Sequence, residues 1–67
     1  MNKDTFKGQW KQVKGEIKKM WGDLTDDEIK KAEGDYDKTV GMIQEKYGLQ
    51  KEEVTDSINR MLQSIKP

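Results

Sequence analysis

Residues 15–29 read GEIKKMWGDLTDDEI, and residues 41–54 read GMIQEKYGLQKEEV. Each stretch has a Gly, an Ile two positions on, and an aromatic six positions on, followed at once by Gly. A Leu, an acidic run and a β-branched residue then follow in both. The repeated residues are those that stop one helix and start the next. Gly is the usual left-handed stop. Thr25 with Glu28 has the spacing of a capping box, and Leu24 with Ile29 that of a hydrophobic staple. Asp26, Asp27 and Glu28 would sit where the helix dipole favours negative charge. In the second copy Leu49 and Val54 form the staple around Gln50, with Glu52 and Glu53 in the first turn. Gln50 is a poorer cap than Thr25 because its longer side chain fits the capping geometry badly. The second copy lacks a counterpart of Asp23, so the two turns should differ in detail.

Working outward, the flanking segments are helical in period. Phe6, Trp10, Val13, Ile17, Met20, Trp21 and Leu24 recur at three- and four-residue steps, which predicts a helix over about 4–21. A second, short helix should run from the Thr25 cap to about Glu33, with Gly34 as its stop. Its only clear inward residues are Ile29 and Ala32, so it depends on tertiary contacts. Asp35 opens a third helix with Tyr36, Val40, Ile43 and Tyr47 on its stripe and Gly48 at its end. The fourth carries Val54, Ile58, Met61, Leu62 and Ile65 and frays toward Pro67. No segment alternates with period two. The reading is all-α, with four short helices, an approximate internal duplication, and one domain over 1–67. A short connection makes neighbouring helices an αα-hairpin, here about 4–33 and 35–66. Neither hairpin buries its apolar face alone. Packed together they share a structural core of Trp10, Val13, Ile17, Trp21, Ile29, Val40, Ile43, Tyr47, Val54, Ile58 and Leu62.

Composition narrows the function classes. At 67 residues the chain supports one small core, and such chains bury only ~60% of their unfolded surface. Charged residues make up 39% and apolar ones 31%, with a formal net charge of zero. Cys and His are both absent, which removes disulfides, thiolate or imidazole metal sites, cysteine nucleophiles and the usual neutral-pH acid/base. No phosphate-binding loop, dinucleotide fingerprint or nucleophile elbow occurs. The acids at Asp23, Asp26, Asp27 and Glu28 do not follow calcium-loop spacing. The stretch from Asp35 has Val40 and Lys46 where such a loop needs Gly and Glu. The expectation is a non-enzymatic protein with no catalytic, cofactor-binding or metal-binding residues. No apolar run reaches membrane-spanning length. The opening MNKDTFKGQWKQ lacks the apolar centre of a secretory signal. A cytoplasmic location is expected.

One charge pattern invites a functional reading. Residues 1–22 hold six lysines against two acids, a local charge of +4, whereas residues 23–37 hold seven acids against two lysines, or −5. Lys3, Lys7, Lys11, Lys14 and Lys18 form a stripe beside the aromatic one. Such a stripe is a candidate anion-binding surface for nucleic-acid phosphates or an anionic membrane face. It is also ordinary helix design, a solvated flank whose alkyl stems cover the core edge. The absence of Arg from the stripe argues against base-specific readout. Trp10 and Trp21 have the chemistry of base-stacking platforms, but both lie on the core stripe. The paired turns resemble those of helix-hairpin-helix DNA binders only loosely. Each has a single Gly, and the acids that follow repel phosphate. Gly8, Gly15 and Gly41 fall inside expected helices, at a cost of ~0.8–1.0 kcal/mol each relative to Ala. They mark either close approach of a neighbouring backbone or deliberately weak helices.

The motifs N-x(5)-G-x-W-x(3)-K-G at 2–15, I-x(3)-W-G-x-L-T-D-D-E at 17–28 and G-x(6)-G-x-I-Q-x(2)-Y-G at 34–48 resemble the CsbD-like family of small bacterial general stress-response proteins. The matching positions are Asn2, Gly8, Trp10, Lys14, Gly15, Ile17, Trp21, Gly22, Leu24, Thr25, Asp26, Asp27, Glu28, Gly34, Gly41, Ile43, Gln44, Tyr47 and Gly48. Beyond Gly48 only general helical character matches. The resemblance implies a cytoplasmic stress protein with two αα-hairpins packed roughly orthogonally, similar to SAM-domain folds. It carries over no catalytic or binding residues. The expected role is a small soluble protectant or interaction module. The alternative is weak binding of nucleic acid or an anionic surface through the lysines, and self-association through an uncovered apolar strip is a third.

Overall fold

The computed structural model describes residues 3–65 and shows five helices. They are α1 (Lys3–Gly8), α2 (Trp10–Met20), α3 (Asp26–Ala32), α4 (Tyr36–Tyr47) and α5 (Lys51–Ser64). Among the described residues there is no strand. Asn2 of the family motif and the fray toward Pro67, with the end of the second hairpin at 66, lie outside the described residues.

The helix expected over about 4–21 is two helices. Gln9 interrupts it with φ −105° and ψ 22°, the sparsely populated bridge region. The bond from the Gln9 N–H to the Thr5 carbonyl (2.9 Å) closes α1, and the Gln9 carbonyl then accepts from Gln12 and Val13 to start α2. Gly8, a weak helix former, precedes the break. The cause is tertiary. Phe6 lies eleven residues before Ile17, ~16 Å along a straight helix. The bend carries Phe6 onto α4 instead. There it is fully buried, with its ring edge-on to Tyr36 at 5.3 Å and tilted against Trp10 at 5.6 Å. Such aromatic pairs add ~0.5–1.5 kcal/mol beyond the area they bury.

The turns follow local chemistry. Thr25 Oγ1 accepts from the Glu28 N–H (3.1 Å) and Glu28 Oε1 accepts from the Thr25 N–H (2.9 Å), a complete capping box. Asp35 Oδ1 caps α4 by accepting from the Lys38 N–H at 3.0 Å. Gln50 makes no side-chain cap bond. The two echoed turns do differ. Gly48 closes α4 in the left-handed conformation at φ 66°, whereas α2 ends on Trp21 at φ −124° and Gly22 has no positive φ. The extra residue, Asp23, gives its N–H to the Tyr47 hydroxyl at 2.9 Å, so one echoed aromatic ties down the other copy's turn.

One core cluster draws on all five helices: Phe6, Val13, Ile17, Trp21, Leu24, Ile29, Tyr36, Val40, Ile43, Val54, Ile58 and Met61. Ala32 and Thr39 are also buried, the Thr39 hydroxyl donating to the Asp35 carbonyl at 2.8 Å. Trp10, Tyr47 and Leu62, read from sequence as core residues, lie half-buried at its edge. Phe6, Leu24, Tyr36 and Met61 take the interior places. The helix bend explains Trp10: once Phe6 turns inward, Trp10 rides on its outer side. The α4 helix is central, packing against α5, α3 and α1, while α2 packs against α5.

Candidate interaction surface

The five lysines of the stripe do not form one continuous surface. Lys3 and Lys7 belong to α1; Lys11, Lys14 and Lys18 belong to α2. All five are exposed. The two end members are held by aspartates. Lys3 Nζ lies 3.2 Å from Asp37 Oδ2 and 5.9 Å from the Tyr36 ring centroid, fastening α1 to α4. Lys18 Nζ pairs with Asp26 Oδ1, fastening the end of α2 to the start of α3. That hydrogen bond, with the Lys18 charge and a smaller contribution from Lys14, holds the Asp26 carboxyl below its usual range. Lys7, Lys11 and Lys14 enter no ion pair among the described residues.

Between α2 and α3 lies an open, mostly apolar groove of about 760 Å³. Trp10, Lys14, Gly15 and Lys18 line it from α2; Asp26, Ile29, Lys30 and Glu33 line it from α3 and its cap. The order is antiparallel. Trp10 faces the Glu33 end, and the Lys18–Asp26 pair closes the other. The i, i+4 spacing puts Trp10, Lys14 and Lys18 on one face of α2. Ile29 and Lys30 come to the groove because the Thr25 capping box fixes where α3 begins. A Cβ built at Gly15 meets nothing within 4 Å. The rim holds three lysines against two acids, and one lysine and one acid, Lys18 and Asp26, are paired with each other.

Sequence reasoning singled out Trp10, Lys14, Lys18 and Gly15, left Gly15 between close approach of a neighbouring backbone and a weakened helix, and missed the α3 wall. The opposing wall is set by how α2 and α3 splay, which no local pattern encodes. Across the turn Glu28 also reaches Lys46 Nζ at 3.0 Å. Its carboxyl is pushed below the usual range first by the Thr25 N–H, then by Lys46. Among the described residues no group of three or more Asp, Glu, His or Cys could hold a metal ion, and no helix is long and apolar enough to cross a membrane.

The CsbD-like family pattern matches residues 4–56. The chain belongs to the CsbD-like family. This places it among small bacterial general stress-response proteins. The CsbD-like match runs eight residues past Gly48, to Asp56 in α5, further than the three sequence motifs reach. Relatives of this CsbD-like chain include UPF0337 protein PA4738 of Pseudomonas aeruginosa. It is 49% identical over 65 residues, covering 91% of this chain and 100% of the relative. UPF0337 protein YjbJ of Escherichia coli K12 is 50% identical over 58 residues, covering 87% and 84%. UPF0337 protein Bd3330 of Bdellovibrio bacteriovorus is 43% identical over 65 residues, covering 97% and 70%. No solved structure matches the chain.

Proposed function

We propose that this CsbD-like chain works without catalysis, as a small cytoplasmic interaction module that protects a partner during stress. The observation supporting this reading is the open apolar groove between α2 and α3. A chain with so little core leaves apolar surface uncovered there rather than closing the hairpin over it. The test is heat- or drying-induced aggregation of a labile enzyme, with an inert protein of equal mass as reference. Protection above the reference at near-stoichiometric ratios is expected, and protection no better than the reference refutes the reading. A Gly15→Leu variant, which puts a side chain into the groove, should lose the protection.

A second reading has its own observation, the exposed Lys7, Lys11 and Lys14, which enter no ion pair among the described residues. These make the anion-binding surface for weak contact with nucleic acid or an anionic vesicle. Titration with DNA, RNA and phosphatidylglycerol vesicles at low and moderate salt decides it; binding that ignores salt, or none, rejects it. For the fold we retain one domain over 1–67, with two αα-hairpins crossing roughly at right angles as in SAM domains. The packing of α4 on α5 supports the second hairpin.

A further inference from the structure

We infer that the groove between α2 and α3 receives an acidic amphipathic helix of a partner protein. This rests on the reading of the chain as an interaction module and names the partner's chemistry. The exposed surface of the groove is mostly apolar, with half-buried Trp10 on the α2 side and the edge of the largely buried Ile29 on the α3 side. A helix brings a continuous apolar stripe while keeping its backbone hydrogen bonds internal, so nothing polar on its main chain is stranded against those walls.

The charges select its flanks. Lys14 on α2 and Lys30 on α3 stand on opposite walls, and neither enters an ion pair among the described residues. Lys18 is committed to Asp26, and Glu33 is the remaining acid, at the Trp10 end. These two lysines, outside any ion pair among the described residues, therefore favour negative charge on both sides of an apolar body. A helix with acids on either side of its stripe supplies that, whereas a single-headed amphiphile satisfies one wall. Glu33 favours the partner's N-terminal end at Trp10, where the helix dipole is positive.

Gly15 supplies the independent observation. It lies inside α2, where Gly is disfavoured, yet no atom of the chain lies within 4 Å of the position its Cβ would take. Packing within the molecule gives no reason for the missing side chain. Packed helices run ~8–10 Å apart, and Gly permits the near end of that range.

The test is titration of the 15N-labelled full chain with a synthetic peptide of ~14 residues, about four turns. It carries Leu at helical spacing and Glu on both flanks. A second peptide keeps the Leu stripe and carries Lys flanks. The acidic peptide should shift the Trp10 indole and Gly15 amide signals, with affinity that falls as salt rises and about tenfold above the Lys peptide. Gly15→Leu, with its helicity checked by circular dichroism, should weaken binding about tenfold or more. Lys14→Glu with Lys30→Glu should reverse the preference between peptides. Equal binding of both peptides overturns the inference, as does the absence of shifts at Trp10 and Gly15. It is also overturned if phosphatidylglycerol vesicles move these signals and the acidic peptide does not, or if they move with protein concentration alone, which names a second copy as occupant. Protection that still depends on Gly15 while both peptides fail leaves the interaction module standing and rejects the helical partner.

Discussion

Gly15 lies within α2 and Gly41 within α4, both exposed, and a Cβ at either meets nothing within 4 Å. Alanine there carries no steric cost and gains the difference in helix propensity, ~0.8–1.0 kcal/mol per site. For a chain of 67 residues the entropy of unfolding is ~0.14 kcal/mol/K, from ~2.1 cal/mol/K per residue. Each substitution should therefore raise Tm by ~6–7 °C. Gly34 and Gly48 are the internal controls, at φ 81° and 66°. Alanine in the left-handed region costs ~1–2 kcal/mol, a fall of ~7–14 °C by the same entropy. At Gly34 the new Cβ would lie 3.5 Å from Lys7 Cγ, ordinary contact, so strain and not a clash sets that cost. The assay is thermal melting by far-ultraviolet circular dichroism at one fixed protein concentration. Opposite signs for the two pairs are expected. If Gly15→Ala and Gly41→Ala lower Tm, or all four variants shift alike, the assignment of these glycines is wrong.

Other substitutions probe packing and caps. Phe6→Ala removes the fully buried ring that anchors α1 on Tyr36. The cost, ~3–5 kcal/mol, is comparable to the whole stability of so small a domain, so the cooperative melt should be lost. Thr25→Ala dismantles the capping box and should cost ~1 kcal/mol in urea unfolding, whereas Gln50→Asp should stabilise α5 because no side-chain cap exists there now. Tyr47→Phe deletes the acceptor for the Asp23 N–H; that N–H is exposed to water, so the loss should be ~1 kcal/mol or less by the same measurement. The depressed Asp26 and Glu28 carboxyls contribute stability above their unfolded-state values and lose it as pH falls through the carboxylate range. Tm should drop below about pH 4, and Glu28→Gln should flatten that acid limb while lowering the neutral plateau.

Helix ends were the most legible part of this chain because their chemistry is local. Thr25, Glu28, Asp35 and Gly48 act on backbone groups three or four residues away, so spacing alone reveals them. The bland character of Gln50 was legible for the same reason. The candidate surface was only half legible. Lys14 and Lys18 share a face of α2 by periodicity, but Lys30 and Glu33 meet them only because α3 lies where α4 holds it. The ion pairs that claim Lys3 and Lys18 join residues 34 and eight positions apart, beyond the reach of any helical repeat.

The sequence by itself determined that this chain is helical, where most helices begin and end, and which apolar residues compete for the interior. Those outcomes rest on backbone capping and the 3.6-residue period, which operate within a few residues. Tertiary structure decided the rest. It broke the first helix at Gln9, because only a bend delivers Phe6 to Tyr36. It moved Trp10 to the core edge, and it left α2 and α3 parted around Gly15. These outcomes depend on competition among distant apolar surfaces for one small interior. A helical stripe identifies the competitors, and only the packed chain shows which of them won.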